Sequence, residues 1–169
     1  MAARTLVTAA LLLLGPCLVV TAQAQSEVAP SEAVARLERD VKDQISSLDV
    51  DTESYSVRLN RCQGKFGETA DDIYFVWIGW RGFDRDEIVG ARLAEIRSAW
   101  SEADWEITRN RELANGGINL AAREPATGNL YMLDSGFDAG PESYIVGFFN
   151  TPCFKNPAGA TPFGAWKDP

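Results

Sequence analysis

Two stretches of the chain repeat apolar residues three and four positions apart, which is the spacing of a helix that buries one face. Ser31 is the predicted N-cap of the first helix. Asp84 and Glu87 form a capping-box pair in front of the second. The apolar positions of the first are Val34, Leu37, Val41, Ile45 and Leu48, and those of the second are Val89, Leu93, Ile96, Trp100 and Ala103. The pattern therefore predicts two amphipathic helices.

Six other segments have the patterns of strands. Residues 55–59 alternate apolar with polar side chains, as a half-buried strand does. Residues 73–80 form a continuous apolar run, which is typical of a central strand covered on both faces. The other four strands are separated by clusters of turn-forming residues and are predicted at residues 105–109, 118–124, 130–133 and 144–149. The predicted order of elements is α-β-β-α-β-β-β-β.

This order predicts an α+β fold with a mostly antiparallel, twisted sheet and both helices on one face of it. The strands before and after the second helix are expected to run parallel, because a helix that returns along a sheet leaves the chain pointing the same way. Residues 31–155 are predicted to form a single domain. Residues 25–30 are predicted to be a linker, and residues 156–169 a Pro/Gly-rich tail.

The beginning of the chain has the features of an export signal. Arg4 is followed by an apolar stretch at residues 6–20 and by the segment 22–24, Ala-Gln-Ala, which suits a signal peptidase. Residues 1–24 are therefore predicted to be a signal peptide, and the protein to be secreted or extracytoplasmic, in the cell envelope. The alternatives are a buried N-terminal helix, an uncleaved membrane anchor, and a lipoprotein signal that ends at Cys17. The protein would be attached to a membrane only in the last two cases.

The cysteine count supports this prediction. Cleavage would remove Cys17 and leave Cys62 and Cys153 in the mature chain. In an oxidising compartment, two cysteines most simply form one disulfide. Cys62 lies at the end of the first predicted strand and Cys153 follows the last, so the bridge would join these two ends. The alternative is a pair of unpaired buried thiols.

The composition excludes several classes of chemistry. The chain has no histidine, so it lacks Ser-His-Asp triads, Cys-His pairs and histidine-based metal sites. It carries 16 Lys and Arg against 24 Asp and Glu, a net charge of -8, without a basic run, which argues against a nucleic-acid partner. No phosphate-binding or dinucleotide-binding glycine motif is present. The sequence therefore predicts neither a cofactor nor a metal site.

Catalysis in such a chain would depend on carboxylates, Lys, Tyr or Ser. A glycosidase needs two carboxyl groups that face each other across a cleft. Neighbouring acids occur in three places, and each has an ordinary explanation as a helix cap, a turn former or a diverging pair on an extended segment. The three pairs are Asp71 and Asp72, Asp84 and Asp86, and Asp134 and Asp138.

Aromatic residues give the one positive indication of a binding site. Trp80, Arg81 and Phe83 lie where a strand is predicted to give way to a helix, and they would present a ring and a guanidinium to a sugar or a peptide. In the alternative interpretation, Trp77 and Trp100 fill the core, while Trp80 and Phe83 seal its edge. Three more rings near the C-terminus would either add to an exposed patch or pack onto the sheet. They are Phe154, Phe163 and Trp166.

Several of these features occur together in one group of proteins. They are the signal peptide, the N-terminal amphipathic helix, the strand that ends Arg61-Cys62-x-Gly64, the Asp84-capped helix, the strand led by Trp105 and the terminal Cys153. In this combination the chain resembles small exported or lipoprotein-type proteins of actinobacteria, whose functions are unknown. The resemblance implies a cell-envelope setting and a fold, without an activity or a catalytic residue.

Together these patterns predict a secreted or cell-envelope protein with a non-catalytic binding or accessory role, whose partner is an envelope protein or a glycan. The alternatives are a small secreted hydrolase that uses a carboxylate pair, and an acidic inhibitor or immunity-type protein. Two acids converging in a concave pocket, one with a raised pKa, would favour the hydrolase. A flat surface with exposed aromatic rings would favour binding, and a dense acidic face without a pocket would favour the inhibitor.

Overall fold

The elements of the computed structural model follow the predicted order, with two short strands added at the end. Residues 26–84, 89–138 and 143–167 are described, so the predicted signal peptide and Glu87 of the predicted capping box lie outside the structure. The helices are α1 (Pro30–Leu48) and α2 (Val89–Glu102). The strands are β1 (Asp51–Arg61), β2 (Ile73–Asp84), β3 (Glu106–Glu112), β4 (Ile118–Arg123), β5 (Leu130–Asp138), β6 (Ser143–Asn150), β7 (Phe154–Lys155) and β8 (Gly164–Ala165). In these three segments, no helix is long and apolar enough to cross a membrane.

Helix α1 begins two residues earlier than predicted. Its first residue is Pro30, where the fixed φ of proline suits a helix and the missing N–H group costs no hydrogen bond. The N-cap is Ala29, which makes no side-chain cap bond, so the prediction of Ser31 as the N-cap is wrong. Four residues of the predicted apolar face are buried, Val34, Leu37, Val41 and Leu48, and Ile45 is partly buried. Ala33, which is not among the predicted positions, is buried beside them.

The strands form one antiparallel sheet in the order β3-β4-β5-β6-β2-β1-β8, and β7 pairs with the start of β2. Strand β2 therefore lies inside the sheet, with β6 on one side and β1 on the other. Four successive antiparallel pairs connect β2 to β3, so the two strands joined by α2 run in the same direction, as predicted. Both helices pack on one face of the sheet, which confirms the predicted α+β class.

The core lies between the helices and this face of the sheet, and alternate residues of strands β1 to β6 contribute to it. Aromatic rings join α2 to the sheet: Trp100 lies 5.1 Å from Trp105 with nearly parallel planes, and Tyr131 contacts both of them and Phe149. The prediction that Trp100 fills the core is thus confirmed. The same prediction for Trp77 is wrong, because the register of β2 turns this residue to the other face.

Cys62 and Cys153 form a disulfide with their Cα atoms 6.1 Å apart, which confirms the predicted pairing. Cys62 follows β1 and Cys153 follows β6, and these two strands flank β2. The bridge therefore joins the two neighbours of β2 at one end of the sheet. A disulfide of this kind indicates an oxidising, extracytoplasmic environment.

The C-terminal segment packs back onto the sheet. Strand β8 pairs with β1, and the N–H groups of Asn156 and Thr161 donate to backbone carbonyls just before β2. Both of these side chains are buried. The rings of Phe154, Phe163 and Trp166 pack against the core, which confirms the interpretation that they cover the sheet.

Candidate functional site

One face of the sheet has no helix of the described segments on it, and we call it the open face. Its side chains come from the strand positions that alternate with the core positions, and the register places them in rows across the strands. The middle of this face is apolar and partly exposed. Six side chains form this central patch: Phe75 and Trp77 on β2, Val146 and Phe148 on β6, and Leu130 and Met132 on β5.

The indole of Trp77 lies flat along its own strand. A Cβ atom at position 79 would lie 2.2 Å from this ring, so the ring occupies the space that a side chain in place of Gly79 would fill. The ring of Phe148 lies beside it, with the two centroids 6.0 Å apart and the planes 30° apart. Gly79 and Phe148 therefore hold one flat indole surface at the centre of the open face.

Arginines surround the central patch. The open face carries five of them against four carboxylates among the described side chains of strands β1 to β6, and three of these carboxylates each pair with one of the arginines. The arginines are Arg58, Arg81, Arg109, Arg111 and Arg123, and the carboxylates are Asp51, Glu53, Glu106 and Asp134. The open face thus has an excess of positive charge, in a chain whose net charge is -8.

The three residues predicted as a binding site do not come together on one surface. Trp80 is 3% exposed and lies in the core, so it cannot present its ring to a ligand, which corrects the prediction for this residue. Arg81 and Phe83 lie on the open face, because side chains next to each other in a strand point to opposite faces. Arg81 pairs with Glu53, and its guanidinium carbon lies 5.6 Å from the centroid of the Tyr144 ring.

The carboxylate pairs named from the sequence have structural partners where the structure describes them. Arg61 donates a hydrogen bond of 3.0 Å to the exposed carboxylate of Asp71. The backbone carbonyls of Asp71 and Asp72 accept hydrogen bonds from the C-terminal segment. Asp134 pairs with Arg109 on the open face. The remaining groups lie outside the described part of the chain: Asp86 and the side chains of Asp84 and Asp138.

A different pair of acids shares a cleft that no sequence pattern indicated. The cleft has a volume of about 480 Å³ and is lined by Asp40 of α1 and by Glu124 of the turn that joins β4 to β5. Burial raises the pKa of Asp40 above its ordinary value, and the negative charge of Glu124 raises it further. Asn129, which also lines the cleft, donates a hydrogen bond of 3.4 Å to the hydroxyl of Tyr131. One carboxyl group of this pair therefore keeps its proton to a higher pH than usual.

Within the described segments, no three Cys, Asp or Glu side chains are grouped so that they could hold a metal ion. The chain matches no protein-family model, no curated protein and no solved structure. The open face and the cleft are therefore interpreted from their own geometry and chemistry.

Proposed function

We propose that the protein is a secreted or cell-envelope protein that binds an envelope component, a protein or a glycan, through its open face and without catalysis. The disulfide supports an extracytoplasmic setting, and the predicted signal peptide agrees with it. The observation that carries the proposal is the flat indole of Trp77, which lies at the centre of a face that neither α1 nor α2 covers.

An indole in this position favours binding for an energetic reason. Aromatic side chains bury about 150–250 Å² each when they are covered, and they dominate the energetics of interfaces. The central patch leaves part of this area in water, so a ligand that covers it gains about 25 cal/mol for each Å² of apolar surface. Because Gly79 and Phe148 position the Trp77 ring in advance, binding costs little side-chain entropy. The central patch is therefore a preformed contact surface.

Replacing Trp77 by alanine is expected to weaken binding to a purified cell-wall preparation at least about tenfold. The loss of a central aromatic contact commonly costs more than about 1.4 kcal/mol, which corresponds to that factor. The measurement is co-sedimentation of the mature chain, residues 25–169, with the wall preparation over a range of protein concentrations. Thermal unfolding checks that the variant is folded.

Phe66→Ala is the matched control for this experiment. Phe66 is 89% exposed in the loop that joins β1 to β2, so its loss removes an exposed ring and leaves the central patch intact. Binding by this variant should equal that of the unchanged chain. Equal binding by Trp77→Ala would contradict the proposal, and so would losses of the same size in both variants.

The cleft supports a second candidate function, a glycan hydrolase that uses Asp40 and Glu124. A general acid must hold its proton near the working pH, and a second carboxyl group then acts as base or nucleophile. The observation that favours this role is the raised pKa of Asp40 next to a second carboxyl group in one cleft.

The variant Asp40→Asn has an expected effect on stability whose sign depends on pH. The folded chain holds the Asp40 proton more tightly than the unfolded chain, so the free energy of unfolding falls as pH rises from about 4 through the raised pKa. Since asparagine does not ionise, the variant is expected to be more stable than the unchanged chain at neutral pH and equally stable at about pH 3. Urea unfolding under both conditions measures the difference. If the two proteins differ in free energy of unfolding by the same amount at both pH values, the pKa of Asp40 is not raised.

The same variant tests the hydrolase. Release of reducing ends from the wall preparation should be lost in Asp40→Asn if the cleft is catalytic. It should be kept in Glu95→Gln, which removes an exposed carboxylate of α2. If the unchanged chain releases no reducing ends, the hydrolase is excluded and the binding role of the open face is unaffected.

A further inference from the structure

We infer that the occupant of the open face is an acidic polysaccharide, a polymer of sugar rings that carry carboxylates. This inference rests on the proposed function, because it names the ligand class of the same surface. The distribution of charge carries it. A chain with 24 Asp and Glu against 16 Lys and Arg places five arginines and four carboxylates on the described part of strands β1 to β6 of this one face.

Two of the five arginines are available to a ligand. Arg58 and Arg111 are exposed, and neither has an ion-pair partner within the segments that the structure describes. A guanidinium binds a carboxylate through two parallel hydrogen bonds, which makes arginine the residue best suited to this group. A ligand with carboxylates therefore satisfies charges that the described side chains leave unpaired.

One of these arginines lies next to the flat indole. The register pairs Arg58 of β1 with Trp77 of β2, and Trp77 with Asn150 of β6, so the three side chains form one row across the strands. A sugar ring in this row would cover the indole with its C–H face and place a carboxylate at Arg58.

The separation of the two arginines indicates a polymer and not a single sugar. Arg58 lies on β1 and Arg111 on β3, and four strands of the sheet lie between them. Five strand spacings of roughly 4.8 Å place β1 and β3 about 24 Å apart. A ligand that contacts both arginines must therefore extend across the strands and over the central patch.

The net charge of the chain favours an acidic polysaccharide over a nucleic acid as the ligand of the open face. A duplex carries one negative charge for about every 1.7 Å of its length, and binding it requires many arginines and lysines. The open face has an excess of only one positive charge among its described side chains, and the chain as a whole is at -8. A polysaccharide with one carboxylate on each ring can neutralise the positive charge of the open face. Because its charge density is lower than that of a duplex, the acidic remainder of the chain repels it less.

The test uses polygalacturonate, which has a carboxylate on each sugar ring, and its neutral, carboxyl-reduced form. Calorimetric titration of the mature chain is expected to show at least about tenfold tighter binding of the acidic polymer at low salt, and high salt should weaken it. The double variant Arg58→Gln with Arg111→Gln should lose at least about tenfold in affinity for polygalacturonate and be unchanged toward the neutral polymer. The control is Arg97→Gln, an arginine of α2, which should change neither affinity.

The outcomes distinguish this inference from the proposed function. Equal affinity for the two polymers, absence of binding to both, or an unaltered affinity of the double variant would overturn the acidic polysaccharide. Tighter binding of polyglutamate or of single-stranded oligonucleotides would overturn it as well, in favour of an acidic protein or a nucleic acid. In each of these cases, Trp77-dependent binding of the wall preparation would leave the proposed function standing. If that binding also survives Trp77→Ala, the proposed function itself fails.

Discussion

Replacing Cys62 and Cys153 together by serine is expected to lower the free energy of unfolding of the mature chain by about 4–5 kcal/mol. The two cysteines are 91 residues apart in the sequence, so the bridge holds the unfolded chain in a large closed loop and removes much of its entropy. The double substitution returns this entropy to the unfolded state, while the strands next to the bridge keep their pairing in the sheet. Urea unfolding of both proteins, extrapolated to water, measures the difference.

Reduction of the unchanged chain is the matched control for this prediction, because it breaks the same bridge without changing the sequence. The free energy of unfolding of the reduced chain should fall to that of the double variant, and a reductant should leave the double variant unaffected. If the double substitution and the reduction each lower the free energy of unfolding by less than about 1 kcal/mol, the bridge contributes little to the stability of the fold.

Most of the sheet could be predicted because its strands repeat a pattern over several residues. Strands β7 and β8 could not, since two residues are too few to show a period. The sequence also assigns residues 134–138 to a loop, because Asp134, Ser135 and Gly136 are turn-forming types. In the structure, the N–H group of Ile118 donates to the Ser135 hydroxyl and Gly136 has a φ of 84°, so this segment is a bulged continuation of β5. The hydrogen bond between Ser135 and β4 thus extends β5 beyond the residue at which local propensity would end it.

The open face could be predicted only in part, because the run at residues 73–80 is apolar on both of its sides. A period of two does not show in such a run, and Trp77 and Trp80, three positions apart, lie on opposite faces. One signal comes directly after the run, at Arg81. Arg81 lies four residues after Trp77, so the two side chains point to the same face of the sheet. An arginine at such a position marks the face that is in contact with water.

The cleft could not be predicted for a different reason. Asp40 lies on the polar face of α1, four residues after Arg36, and this spacing is typical of an ordinary exposed ion pair. Glu124 lies at the start of a turn, where polar residues are ordinary. Only the packing of α1 next to the β4–β5 turn brings the two carboxylates into one cleft, and no local pattern encodes that packing.

Replacing Trp100 by alanine is expected to lower the free energy of unfolding by about 3–5 kcal/mol, the usual cost of truncating a large aromatic side chain in a core. Trp100 is 3% exposed and connects α2 to the sheet, 5.1 Å from the ring of Trp105 and 6.1 Å from that of Tyr131. Tyr131 is also packed edge-on against Phe149, at 5.3 Å, so it is not free to move into the space that the indole leaves. The variant therefore keeps a cavity between α2 and the sheet, and urea unfolding measures its cost.

Trp77→Ala is the matched control, because it removes the same side chain from a partly exposed position on the open face. Its loss of stability should stay below about 2 kcal/mol, since less apolar area returns to water and no enclosed cavity forms. Helix α2 carries the chain from β2 to the edge strand β3, so Trp100→Ala should also speed hydrogen exchange of the β3 amides. If Trp100→Ala loses no more stability than Trp77→Ala, and hydrogen exchange of the β3 amides is unchanged, the prediction is wrong. The strand pairing from β3 to β6 would then be stable without the Trp100 side chain.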